Sequence, residues 1–151
     1  MGVRKMTPTN YWIGVASRDH VLQGAEGGFA QLCHGKSSPL KKMKAGDWII
    51  YYSPRYHLQE ANPCQMFTAI GKVVDDYVYE FDMGNGFVPF RRNIDFCPCT
   101  EVNIHPLINK LSFIQDKQRW GYPFRYGHLK INKEDFILIA KEIGIEEIEF
   151  H

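Results

Sequence analysis

Two short apolar runs, Tyr11–Ala16 and Trp48–Tyr52, each carry a tryptophan, and a glycine-rich polar stretch separates them. In the first run Tyr11, Ile13 and Val15 alternate with Trp12, Gly14 and Ala16, the period of a strand. The second ends on Tyr51-Tyr52-Ser53-Pro54 and reads as a buried strand stopped by proline. Between them lie Gly27-Gly28-Phe29-Ala30-Gln31 and His34-Gly35-Lys36. Aromatic strands joined through such a loop suit a pocket with ring walls and hydrogen-bonding tips, beside a surface that attracts anions. The layout points to holding a flat polar ligand rather than to making or breaking bonds.

Further elements fit a mainly β chain. Ser17 is placed to cap a short helix over Arg18–Gln23, stopped at Gly24. Phe29–Leu32, Phe67–Val74, Tyr77–Asp82 and Phe87–Arg91 read as strands, the last after the Gly84-Asn85-Gly86 turn. Pro106 opens a helical stretch with Leu107, Leu111 and Ile114 on one face. Asn132 is an N-cap for a helix whose apolar stripe is Phe136, Ile139, Ala140 and Ile143, ended by Gly144. Trp120–Tyr126 is aromatic and irregular, and residues 1–9 read as a loose leader. Without βαβ alternation, the pattern is a small mixed barrel with helices at its corners.

At 151 residues the chain is expected to form one domain with a real core. Aromatics make up 14%, more than such a core needs, so some are expected to line a surface or pocket. No apolar run approaches the roughly 20 residues of a membrane span, and no signal-like h-region opens the chain. The expectation is a cytoplasmic protein without a membrane partner. In that compartment Cys33, Cys64, Cys97 and Cys99 read as reduced thiols. Cys97-Pro98-Cys99 with His105 hints at a metal, but structural zinc sites repeat pairs spaced by two to four residues. No metal and no cofactor is expected.

Net charge is +1, unevenly spread. Six acids face one lysine from Glu134 to His151, whereas Gly27–Gly46 holds Lys36, Lys41, Lys42 and Lys44 and no acid. A local basic loop on a near-neutral chain fits modest, salt-sensitive phosphate contact, or simply a solvated loop.

Catalytic motifs fail on inspection. His34-Gly35-Lys36-Ser37 ends like a phosphate-binding loop, but Ala30 stands where that motif needs glycine and no apolar strand leads directly into it. Cys33 and His34 are neighbours, which on a strand point to opposite faces. No nucleophile, base and orienting acid form a recognisable set. Aromatics interleaved with polar and basic residues are the better signal, because stacking a base on a ring contributes about 1–3 kcal/mol. Ser17, Gln31, His34 and Ser53 are suited by type to the base edge, and glutamine offers donor and acceptor together. Trp12 shares a face with Gly14 and Ala16, which leaves room for a ligand; Trp48 reads as core. Arg91-Arg92 reads as part of an anion surface or as a surface pair at a strand end. Arg119, Trp120 and Arg125 form either a second stacking and phosphate patch or a plug for the barrel.

Together these segments resemble the EVE domain, a family of small bacterial and archaeal proteins. The resemblance rests on Tyr11–Ser17, Gly27–Gln31, His34–Lys36, Gly46–Trp48, Tyr51–Pro54, Arg91-Arg92, Leu111–Ile114, Trp120-Gly121 and Arg125–Gly127, in order along nearly the whole chain. It implies a single domain over residues 1–151 with an α+β, mainly β fold, a PUA-like distorted β-barrel with short flanking helices, related to the YTH readers of N6-methyladenine. It also implies a non-catalytic module, read as a monomer, that holds a modified, flipped-out base of DNA or RNA in an aromatic-lined pocket. By position, Trp12, Ser17, Phe29, Gln31, His34, Tyr52 and Ser53 would form the base pocket. Lys36, Arg91, Arg92, Trp120 and Arg125 would meet the nucleic-acid backbone. The YTH tryptophan cage is not plainly reproduced, since no Trp lies between residue 36 and Trp48. An enzyme acting on a nucleobase, or a module for small metabolites or proteins, stays open as an alternative. Against a zinc deaminase, Cys97-Pro98-Cys99 is one residue short of the required spacing.

Overall fold

Alternation along the two tryptophan-bearing runs builds the centre of the molecule. The computed structural model describes residues 8–146; the leader expected over residues 1–9 falls mostly outside them. β1 (Tyr11–Val15) and β3 (Trp48–Arg55) pair in parallel, Tyr11 opposite Trp48 and Val15 opposite Tyr52. A parallel pair needs a long crossover. It is supplied by α1 (Arg18–Gly27), β2 (Phe29–Ala30) and α2 (Ser37–Lys42).

β4 (Pro63–Glu80), β5 (Phe90–Cys97), β6 (Val102–Asn103) and β7 (His128–Ile131) complete one sheet, in the order β2-β5-β4-β3-β1-β7 with β6 beside β4. The ladder does not close into a ring. Its two ends approach through Cys33, whose thiol donates to the Tyr126 carbonyl across 3.7 Å. No helix among the described residues is long and apolar enough to cross a membrane.

The sheet carries a core on each face. Tyr11, Ile13, Trp48, Ile50 and Tyr52 pack with Phe67, Leu111, Phe124 and the apolar stripe of α3 (Lys133–Glu142). Trp12, Ile49 and Tyr51 pack on the other side with Val21, Leu32, Leu40 and Ile94. α3 begins as its sequence predicts, with the Asn132 side chain accepting from the Asp135 N–H at 2.8 Å. The Asp135 carboxylate itself is buried, accepting from Ser112 Oγ and from the N–H groups of Ser112 and Phe113.

Several elements differ from expectation. β4 is one strand where two were predicted, because its partner β5 resumes pairing after a register jump between Val73 and Val78. β5 begins at Phe90, so Phe87–Pro89 belongs to the preceding loop. α1 runs through Gly24 to Gly27 and stops where Gly28 turns left-handed, at φ 76°. Gly24 is required there because a Cβ would lie 2.6 Å from the Phe29 carbonyl oxygen. The stretch opened by Pro106 is a 3₁₀ helix, His105–Lys110.

Arg92 holds the register jump in place. Its side chain is 2% exposed, and Nη1 donates to the carbonyls of Leu40 (2.7 Å) and Met43 (2.6 Å). Nε and Nη2 both donate to the Asp75 carbonyl inside the jump. Arg92→Lys offers one ammonium to carbonyls on two separate segments. We expect urea unfolding to show a loss of about 2–4 kcal/mol, as for a broken buried charged network; unchanged stability would mean these carbonyls find other partners.

His128, at the start of β7, stacks on Trp12 with ring centroids 4.5 Å apart and planes 11° from parallel. Its buried Nε2 has no hydrogen-bond partner among the described residues. Burial, reinforced by nearby Lys42, holds its pKa down to about 4 from an ordinary 6.5. The folded chain therefore binds fewer protons than the unfolded chain between those values. This contribution is fully present above pH 6.5 and is lost as pH falls towards 4, by up to about 3 kcal/mol. His128→Phe should flatten the stability–pH curve in that window.

Candidate functional site

A cavity of about 420 Å³ opens between α1, residues 29–35 and the loop joining β4 to β5. Such a volume lies within the usual range for small-molecule sites. Ser17, His20 and Gly24 line one side, Phe29, Gln31 and His34 a second, and Met83, Phe87 and Arg91 the third. Tyr51 forms the floor, and its hydroxyl donates to the Gln31 carbonyl at 3.1 Å, fixing that residue's backbone.

Arg91 is the cation of this cavity. Its guanidinium carbon lies 3.7 Å from the centroid of Phe29 and 3.8 Å from that of Phe81, a clamp between two rings. Nε donates to Gln31 Oε1 at 2.6 Å and Nη2 contacts Met83 Sδ at 3.1 Å. Burial lowers the Arg91 pKa, with Tyr79 opposing, but a guanidinium stays charged under all working conditions. The bond to Arg91 engages Gln31 Oε1, which orients the side-chain amide so that Nε2 can donate to another acceptor.

The backbone at Cys33, His34 and Gly35 is left-handed three times in succession, with φ of 50°, 61° and 84°. Each such step costs a non-glycine residue about 1–2 kcal/mol, so the turn is held by its surroundings. Gly35 and Lys36 both donate to the Leu32 carbonyl. Pro89 covers Gly35 so closely that a Cβ there would lie 2.6 Å from the proline Cβ.

A serine relay does not fit the geometry around Ser17. Ser17 Oγ donates to Asp19 Oδ1 at 2.6 Å, and His57 meets the other Asp19 oxygen at 3.3 Å. A serine relay needs the imidazole between hydroxyl and carboxylate; here the carboxylate sits in the middle. Its pKa is low: burial alone would raise it, but the bonds from Ser17, the His20 N–H and His57, with the charge of His20, outweigh that. Cys33, Cys64, Cys97 and Cys99 form no disulfide, and among the described residues no group of three His, Cys, Asp or Glu side chains could hold a metal ion.

A family model for the EVE domain matches residues 10–142. The chain belongs to the EVE domain family. A UPF0310 protein of Bacillus licheniformis is 57% identical over 127 residues, 84% of this chain and 86% of that one. The UPF0310 protein YdcG of Bacillus subtilis is 50% identical over 137 residues, covering 91% and 94%. Among solved structures, the YTH domain of Zygosaccharomyces rouxii MRB1, in complex with N6-methyladenosine RNA, superposes with a TM-score of 0.63 at 12% identity, covering 96% and 94%. Protein Atu2648 of Agrobacterium tumefaciens gives 0.57 at 16%, covering 92% and 96%. At these identities the structures establish a shared PUA-like fold.

The EVE domain distributes its sequence-predicted residues unevenly. Ser17, Phe29, Gln31 and His34 meet at the cavity, joined by Arg91, expected instead at a phosphate. Trp12 lies away from it, 7% exposed, with Nε1 donating to Asp47 Oδ2 at 2.9 Å. The room expected beside Gly14 is filled: a Cβ there would sit 2.8 Å from Leu32 and 2.9 Å from Tyr51. Ser53 is fully buried and bonded to Thr68 Oγ1 at 2.8 Å. Tyr52 faces the opposite core, stacked on Phe124 at 4.2 Å. Arg92 is the buried structural arginine described above and has no free edge for a phosphate. Lys36 is exposed just before α2, beside the cavity residue Gly35.

Tyr52 belongs to a second cleft, of about 410 Å³, with Gln65, Arg119, Trp120, Phe124 and Arg125. Sequence reasoning missed Met83, Phe87 and Tyr51 at the first cavity. The signal was present in Phe81 and Phe87, two apolar residues flanking a glycine turn, where a surface hairpin is expected to be polar.

The strained turn yields a test. His34→Gly removes the left-handed penalty and should raise the unfolding free energy by about 1 kcal/mol in urea titration. A loss of stability would mean that His34 contacts outweigh the strain.

Proposed function

We propose that this EVE domain is a non-catalytic reader that takes a modified, flipped-out base of a nucleic-acid strand into the cavity built around Arg91. The observation that carries this reading is the pairing of fixed polar tips with apolar walls in one enclosed space. Gln31 is held by Arg91 and Tyr51, and Ser17, His34, Phe87, Met83 and Leu58 line the same cavity. A base edge meets the polar side while a ring face or methyl group meets the apolar side. The YTH neighbour's complex with N6-methyladenosine RNA supports this fold as one that accepts such a base.

Magnitudes favour the modified form. Burying one added methyl contributes about 0.8 kcal/mol, roughly a fourfold preference, when the walls are apolar. Phosphate contact adds less here: Lys36 with the exposed Lys41 and Lys42 offers a few charges on a chain whose net charge is +1.

Fluorescence anisotropy with short oligonucleotides carrying different methylated bases tests the proposal. One modified oligonucleotide should bind at least several-fold tighter than its plain counterpart, with a shallow salt dependence. Gln31→Ala and Phe87→Ala should each weaken that binding about tenfold, and Lys42→Ala less than twofold. Equal binding of every modified and plain pair would remove the reader reading, and equal losses in all three variants would mean the cavity is misassigned.

A further inference from the structure

The second cleft lies on the opposite face of the sheet, and Val15, the last residue of β1, lines both spaces. Its floor is the Tyr52–Phe124 stack, and Trp120 stands edge-on to Tyr52 at 6.4 Å and to His105 at 5.2 Å. Trp120 is half-buried, so one side of the indole faces the cleft mouth. Gln65 supplies a polar rim and is held in place, its Oε1 2.6 Å from His105 Nε2. Its φ of 56° is left-handed in a residue that rarely adopts it, at the end of the β4–β6 pairing.

The rim is cationic. Arg119 and Arg125 line the mouth and are exposed. The Arg125 guanidinium carbon lies 3.5 Å above the Tyr122 ring, and its Nη2 donates to the hydroxyls of Tyr122 and Tyr126, which fixes its position. The nearby carboxylate of Asp116 accepts the N–H groups of Gln118 and Arg119, so it closes the local turn.

We infer that this cleft stacks the base of the nucleotide next to the flipped one on the same strand, with Arg119 and Arg125 beside the phosphate that joins them. The inference rests on the reader proposal, since the strand must cross Val15 from one cavity to the other. An aromatic floor, a half-open indole, the fixed guanidinium of Arg125 and the exposed Arg119 suit a stacked base attached to an anion. Sequence preference at this position is weak, because any base offers a ring face and the polar rim is a single amide.

Trp12 and Trp48 are 7% and 4% exposed, so a ligand-induced change in tryptophan emission reports on Trp120. Three probes separate the contributions: a modified nucleoside, a trinucleotide with that base in the middle, and the same trinucleotide with abasic flanks. The full trinucleotide should quench Trp120 and bind about tenfold tighter than the abasic one, while the nucleoside should leave the emission unchanged. Trp120→Ala should make the two trinucleotides bind alike without altering nucleoside affinity. Trp120→Phe, which keeps a ring in the packing, should retain part of the difference and lose the quenching. Equal binding of the two trinucleotides to the unaltered chain, or a difference that survives Trp120→Ala, would overturn the inference. Repeating the pair with a plain central base separates the two ideas: the preference for modification tests the first cavity, and the penalty for abasic flanks tests the cleft. Failure of every oligonucleotide to bind would remove both.

Discussion

A break in one strand ladder sets the rest of this molecule. Pairing of β4 with β5 jumps between Val73 and Val78, which leaves the carbonyl of half-buried Asp75 without a ladder partner. The buried Arg92 guanidinium supplies its donor while also tying down the carbonyls of Leu40 in α2 and Met43 just after it. Successive residues on a strand point to opposite faces. Committing Arg92 to the inside therefore sends Arg91 to the other face, between Phe29 and Phe81. The pair divides its labour by geometry: one guanidinium is structural and its neighbour is the charge of the cavity.

The same period explains why two hollows share one residue. On β3, Tyr51 and Tyr52 are neighbours and face opposite cores. Tyr51 floors the cavity beside α1, and Tyr52 floors the cleft beside Trp120. Val15, opposite Tyr52 on β1, ends the strand between them. Neither tyrosine ionises readily, because burial raises both hydroxyl pKa values. They act as ring surfaces and, for Tyr51, as one hydrogen bond.

Much of the frame was legible in the residues. The alternation of β1, the buried run of β3 and the Asn132 cap all follow from local rules that tertiary contacts reinforce. Long-range pairing was less visible. The register jump has no punctuation of its own: Asp75-Asp76 reads as a turn between two strands, yet the chain continues as one because Arg92 bonds the displaced carbonyl. α2 was signalled only by Ser37-Ser38-Pro39, a helix-start composition inside what reads as a basic loop. At the site, residues next to special backbone were found and residues next to other side chains were not. Ser17 lies at a helix start, Phe29 directly after the left-handed Gly28, and Gln31 and His34 in or just before a tight turn, where sequence constrains position. Whether Trp12 faces a ligand or a buried carboxylate depended on Asp47, 35 residues away.

The balance of forces at the cavity bears on what a ligand can gain there. Long-range attraction is weak, since no lysine among the described residues lines the cavity and the chain as a whole is nearly neutral. Selectivity must then come from enclosure. The turn at Cys33–Gly35 bears several kcal/mol of backbone strain by the usual cost per left-handed residue, and it persists because Pro89 and the Leu32 carbonyl hold it. Gln31 is likewise fixed on both sides, its side chain by Arg91 and its carbonyl by Tyr51. Groups fixed before binding lose little entropy when a ligand arrives. They also cannot rearrange to accept a mismatched edge, so an unpaired polar group in the cavity costs about 1–3 kcal/mol. That penalty is of the same order as one good stacking contact, which makes discrimination by a small, rigid cavity possible without a large charged surface.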